Sequence, residues 1–134
     1  MTTLSSKPQT QHTNYMNVFR VIPIDVYWHD IVVSIGQTDE ALYEDIGENI
    51  SKKNFNKRIA NQTSIATTFK LKTGCILIRF KDNIDNPGIV AHEAFHAIVY
   101  LFEKIGIDFA YESEEAYAYA LEYLTNKILK IKTT

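Results

Sequence analysis

The sequence has few cysteines and no long apolar run, and each of these absences excludes a class of protein. It has one cysteine, Cys75, so no disulfide can form within the chain, and nothing in it indicates an oxidising compartment. No apolar run approaches the length needed to cross a membrane, and residues 1–8 lack the apolar core of a signal peptide. We therefore expect an intracellular, cytoplasmic protein.

Positive and negative charges nearly balance, with 14 Lys and Arg against 16 Asp and Glu. The formal net charge of −2 argues against a general binder of nucleic acid or of anionic membranes, so we expect neither as a partner. With 134 residues, 46% hydrophobic and 22% charged, the chain has the composition of one globular domain with a single core. Residues 1–14 are rich in Ser, Thr and Gln and predict a flexible tail, which leaves residues 15–134 as the domain.

The order of predicted elements indicates an α+β fold with a small, mostly antiparallel sheet. Thr38 or Asp39 is expected to cap the first helix, Asn86 precedes Pro87 at the start of the second, Gly106 ends it, and Ser113 is a plausible cap for the last. The predicted strands span residues 18–22, 24–35 (bent near residues 29–30), 63–69 and 74–80, the last two joined as a hairpin; the predicted helices span residues 39–51, 87–105 and 114 onward.

The most informative stretch lies in the second helix and has the pattern H-E-x-x-H, formed by His92, Glu93 and His96. Residues four apart on a helix are neighbours on one side, so the two imidazoles can hold one metal ion. Zinc suits imidazole ligands, and a carboxylate beside the ion can act as a general base toward water. The helix carries an apolar stripe formed by Ala91, Phe95, Ile98, Phe102 and Ile105. We expect the motif on the flank of that stripe, at the edge of the core and facing a cleft.

A catalytic zinc site needs a third protein ligand. Val99 and Phe102 stand where the metzincin pattern has Gly and a third His, which excludes that branch. Glu114 is the best candidate, because its spacing to Tyr117 and Leu121 places it on the core-facing side of the last helix. Glu115 should point outward, yet it stays open as an alternative to Glu114, and Glu112 and Asp108 stay open behind it.

The HExxH element followed by a Glu-Glu-Ala-Tyr-Ala helix (residues 114–118) resembles the small gluzincin-like zinc metallopeptidases. These include the ImmA/IrrE-type peptidases and the short metallopeptidase-like proteins of phages and prophages. The chain lacks the Ala-Asn-x-Phe-Ala run of ImmA/IrrE-type members, which favours the phage-type group. For a phage-encoded protein, the host cytoplasm or the virion would be the location.

The resemblance implies a minimal zincin-like fold, with the sheet packed on the HExxH helix and on the C-terminal helix that bears the glutamate. It implies His92, His96 and Glu114 as zinc ligands, Glu93 as the general base, and a protein or peptide substrate lying along an edge strand of the 63–80 hairpin. Tyr111 or Tyr117 would stabilise the oxyanion.

Two alternative functions remain open. One is a deformylase-like amidohydrolase that uses Cys75 as a ligand. The other is a catalytically inactive, zincin-like binding or virion-associated module, in which a fourth ligand such as His29 would close the site.

Overall fold

The computed structural model describes residues 17–131 as a four-stranded sheet with four helices, a mixed α+β architecture. The predicted tail, residues 1–14, lies outside the described residues. The strands are β1 (Val18–Ile24), β2 (His29–Ile35), β3 (Ala66–Lys70) and β4 (Ile76–Phe80); the helices are α1 (Asp39–Ile46), α2 (Lys52–Phe55, continued by the π-helical turn Asn56–Ala60), α3 (Pro87–Ile105) and α4 (Glu114–Leu129).

The sheet has the strand order β1-β2-β4-β3, so β1 and β3 form its two edges. β1 pairs with β2 and β3 pairs with β4 in antiparallel fashion, while β2 and β4 are parallel. The prediction of a mostly antiparallel sheet is therefore confirmed. The predicted hairpin is also confirmed, and the apolar strand β4 is central, as its run of Ile, Leu and Ile predicts.

Helices cover both faces of the sheet, because the central strands carry apolar side chains on each of their two faces. Ile76, Ile78 and Phe80 of β4 face the larger core, beneath α3 and α4. Leu77 faces the smaller core, which α1, α2 and the π-helical turn complete with residues such as Leu42 and Phe55. The expectation from sequence included only the first of these two layers.

The long helix α3 has the predicted bounds. The Asn86 side chain accepts hydrogen bonds from the backbone N–H groups of Gly88 (2.9 Å) and Ile89 (3.3 Å), Pro87 occupies the first turn, and Gly106 ends the helix with φ of 84°. Glycine adopts such positive φ values without steric strain, whereas residues with a Cβ atom are strained there. The strongest local signals of the chain thus fix the element that carries the motif.

Several predicted boundaries were wrong. The break between the first two strands lies at the 3₁₀ turn Asp25–Tyr27 rather than at Pro23, which an edge strand tolerates. The first helix ends at Ile46 rather than at residue 51, and Ser51 caps a separate helix. The first strand of the hairpin begins at Ala66 rather than at residue 63. Ser113 precedes α4 as predicted, but its hydroxyl bonds back to the preceding loop and makes no cap hydrogen bond.

No helix within residues 17–131 combines the length and the apolar character needed to cross a membrane.

Candidate metal centre

The three residues of the motif differ in exposure because α3 is covered on two sides, by the sheet and by α4. Its buried residues are Val90, Glu93, Ala94, Ala97, Ile98, Leu101 and Phe102. The predicted stripe was therefore rotated: Ala91 and Phe95 are only partly buried, and Ile105 is exposed. His92 and His96 are exposed, whereas Glu93 is 7% exposed and points to the sheet.

The two histidines converge. Nε2 of His92 lies 3.2 Å from Nε2 of His96, with the ring centroids 4.9 Å apart and the ring planes at 74°. Two nitrogens that each lie 2.0–2.1 Å from one tetrahedral zinc ion are about 3.3 Å apart. The separation suits two ligands of one ion, and in the metal-free protein it is that of a hydrogen bond between the two rings.

Glu93 is held by a residue of the edge strand. The Thr68 hydroxyl donates a hydrogen bond to Oε1 of Glu93 at 2.7 Å, and the backbone oxygen of Glu93 lies 3.0 Å from the same hydroxyl. A hydroxyl has one proton, and the shorter contact is to the carboxylate. Thr68 is itself buried, so this hydrogen bond fixes the carboxylate orientation away from bulk water.

A cleft runs between α3 and the edge strand β3, with Glu93 in both of its halves. One half, of about 460 Å³, includes His92 and Gly88 on its wall; the other, of about 220 Å³, includes His96 and Tyr100. The strand side is formed by Ser64, Ile65, Ala66, Thr67 and Thr68. The predicted cleft is therefore present, and it lies along an edge strand of the 63–80 hairpin.

Glu114 is not brought to the histidines. It is the exposed first residue of α4, and the first turn of that helix is fixed near the end of α3 by the Phe102–Tyr117 ring contact, with centroids 4.4 Å apart. Phe102 follows His96 by six residues, a rise of about 9 Å. Among residues 17–131, no three His, Cys, Asp or Glu side chains are grouped so that they could hold a metal ion.

Cys75 and His29 lie apart from the motif. Cys75 packs against the smaller core, on the sheet face opposite α3, and burial raises the pKa of its thiol despite the opposing charge of Lys104. His29 lies at the start of β2, and burial together with the charge of Lys104 lowers the pKa of its imidazole. This placement does not favour a deformylase-like Cys75 ligand or a closing His29 ligand.

The tyrosines predicted for the oxyanion do not line the cleft. The Tyr117 hydroxyl donates to the backbone oxygen of Ile107 at 3.0 Å, and burial is the largest cause that raises the pKa of this phenol. Tyr111 is 88% exposed in the turn before α4. The phenol that does line the cleft is Tyr100, one helical turn after His96.

Sequence reasoning missed both Tyr100 and Thr68. Tyr100 could have been found, since a residue four positions after His96 lies on the same side of the helix. Thr68 had no local signal, because its contact with Glu93 joins residues 25 positions apart.

Comparison with protein-family models, with curated proteins and with solved structures found no match to this chain. Any functional assignment therefore depends on the residues and geometry of the site.

Proposed function

We propose that this protein is a zinc-dependent peptidase of minimal zincin-like fold that hydrolyses peptide bonds in the cleft between α3 and β3. The observation that carries the proposal is the 3.2 Å approach of the His92 and His96 Nε2 atoms beside a buried, oriented Glu93. A histidine pair alone is common on exposed helices. The added carboxylate, fixed at the floor of a cleft, distinguishes a hydrolytic site from a surface pair.

His92 and His96 would hold the ion, and both nitrogen atoms already have a separation that suits it. Zinc bound there would lower the pKa of a water molecule to about 7 and polarise a substrate carbonyl. Glu114 is the third ligand that the resemblance implies, but it does not lie beside the histidine pair, so the proposal assigns the ion to His92 and His96 alone among residues 17–131.

Glu93 would be the general base and then the general acid. Its carboxylate takes one proton from the attacking water, whose oxygen bonds to the carbonyl carbon, and gives the proton to the amine nitrogen as the C–N bond breaks. The hydrogen bond from Thr68 keeps Oε1 from rotating away. Tyr100, on the same cleft wall as His96, would donate a hydrogen bond to the carbonyl oxygen.

The substrate would be an extended segment of a peptide or protein. β3 is an edge strand, and its residues Ala66, Thr67 and Thr68 form the cleft wall opposite α3. An extended peptide can add to such an edge through main-chain hydrogen bonds, which recognise a backbone and require no particular side chain. The scissile carbonyl would then face Glu93 across the cleft.

The test is peptide hydrolysis by the wild type and by Glu93→Gln, both loaded with zinc, against a mixture of unstructured peptides analysed by mass spectrometry. The glutamine can still accept the Thr68 hydrogen bond, so the fold and the histidine pair should persist while hydrolysis is lost. Glu103→Gln is the matched control, because Glu103 is an exposed carboxylate of the same helix that pairs with Lys70 at 2.8 Å. If Glu93→Gln retained zinc and hydrolysed as fast as the wild type, the mechanism would be wrong.

A further inference from the structure

The edge of the molecule opposite the cleft carries an exposed aromatic surface. The 3₁₀ turn after β1 and one face of α4 enclose an apolar groove of about 450 Å³. Its lining consists of Ile24, Asp25, Val26, Tyr27, Ala116, Tyr119, Ala120 and Tyr123. Because β1 and β3 are the two edges of the sheet, this groove and the metal-centre cleft are on opposite sides of the molecule.

The same turn projects its own apolar side chains into solvent. Trp28 is 94% exposed and Val26 is 77% exposed. Trp28 also has left-handed backbone angles, φ 55° and ψ 44°, a region that large side chains rarely occupy. Packing among residues 17–131 does not explain why a tryptophan is held in this conformation with almost its entire side chain in water.

We propose that this surface is a two-fold interface between two copies of the chain, in which the turn of each copy enters the groove of the other. The projecting part and the receiving part lie side by side on one surface, which is the arrangement that a self-complementary interface requires. Trp28 itself does not line the groove of its own chain, so it is free to enter that of a partner.

Charge complementarity supports a second copy as the occupant. The groove has one ionisable carboxyl group in its lining, Asp25, on the turn side. On the opposite side, the Lys127 ammonium lies 5.5 Å from the centroid of the Tyr123 ring. In the proposed pair, the turn of each copy would bring the negative Asp25 to the α4 of the other copy, which carries the positive Lys127, and the symmetry would repeat this contact twice.

The area is sufficient for a specific dimer. Aromatic side chains bury roughly 150–250 Å² each, so the exposed parts of Val26, Trp28, Tyr119 (67% exposed) and Tyr123 (39% exposed) amount to on the order of 500 Å² per copy. Two copies would bury on the order of 1,000 Å², about the lower bound for a specific interface. Apolar patches of this size on a monomer commonly mark interaction sites.

Trp28 is the only tryptophan in the chain, which makes it a direct probe. The experiment is sedimentation velocity together with tryptophan emission over a wide range of concentrations of the full chain, with a chelator present so that no metal bridges the histidine pairs. We expect a monomer–dimer equilibrium, with Trp28 emission moving to shorter wavelength as the dimer forms. A monomer at every concentration, larger aggregates without a defined dimer, or a dimer with unchanged emission would each overturn the proposal.

Variants separate the interface from the fold. Tyr119→Ala should raise the dimer dissociation constant at least about tenfold, because it removes a groove wall. Tyr111→Ala is the matched control: Tyr111 is 88% exposed and outside the groove, and should leave the dimer unchanged. Trp28→Gly should abolish the dimer while leaving the unfolding temperature of the dilute monomer unchanged or higher, because glycine relieves the left-handed backbone. Equal dimerisation by Tyr119→Ala and the wild type would refute this interface.

Discussion

Thr68→Val removes the hydrogen bond that the Glu93 carboxylate accepts from Thr68, with almost no change of side-chain shape. The bond is 2.7 Å long, both residues are buried, and one partner is a carboxylate. Hydrogen bonds to charged groups contribute roughly 1.5–3 kcal/mol, against roughly 0.5–1.5 kcal/mol between neutral groups. We therefore expect the free energy of unfolding at neutral pH to fall by about 2 kcal/mol.

The assay is urea unfolding of the metal-free protein, arranged as a double-mutant cycle with Glu93→Gln. In the glutamine background the bond joins neutral groups, so Thr68→Val should cost about 1 kcal/mol, which leaves a coupling free energy of about 1 kcal/mol. Thr67→Val is the control, because Thr67 is the adjacent, partly buried threonine of β3, paired across the strands with Arg79.

We expect the control to change stability by less than about 0.5 kcal/mol. Equal losses for Thr67→Val and Thr68→Val, or a coupling free energy of zero, would show that Thr68 does not hold the Glu93 carboxylate.

Two further predictions concern the end of α3 and the start of β2. Gly106→Ala should lower the free energy of unfolding by roughly 1–2 kcal/mol, because Gly106 ends α3 with φ of 84° and the open space around it leaves the backbone strain as the main effect. Gly106→Asn should lower it by less. Thermal unfolding of both variants checks this, and stability equal to that of the wild type in both would contradict it. The lowered pKa of His29 means that the unfolded chain binds its proton more tightly, so His29 should cause stability to fall as the pH falls below 6.5 toward the folded-state pKa. In urea titrations at several pH values, His29→Gln should be less sensitive to acid than the wild type, and identical slopes would refute this.

The part of the fold that could be predicted from sequence is the part governed by local chemistry. Asn86, Pro87 and Gly106 specify the two ends of α3 through groups within one turn of each end, and the predicted bounds are those observed. The hairpin before it follows from two β-rich runs separated by a short turn. The spacing of His92 and His96 likewise fixes their proximity, since it depends only on the helical period.

What could not be predicted depends on contacts between distant segments. The buried face of α3 was misassigned because the helix packs on two elements at once, so apolar residues on two of its sides are buried. The partner of Glu93 is on another strand, and sequence spacing does not encode which threonine will face it. The second helical layer depends on Ser51, which starts a new helix where continued helical spacing predicted an extension.

The central claim is that His92 and His96 hold one zinc ion beside Glu93. The measurement is the metal content of the purified protein after zinc is supplied and excess is removed, comparing the wild type with His96→Ala, Glu114→Ala and Glu115→Ala. We predict one zinc per chain in the wild type, in Glu114→Ala and in Glu115→Ala, and loss of zinc in His96→Ala. Loss of zinc in Glu114→Ala but not in Glu115→Ala would instead identify Glu114 as the third ligand that the resemblance implies. No zinc in the wild type would contradict the account.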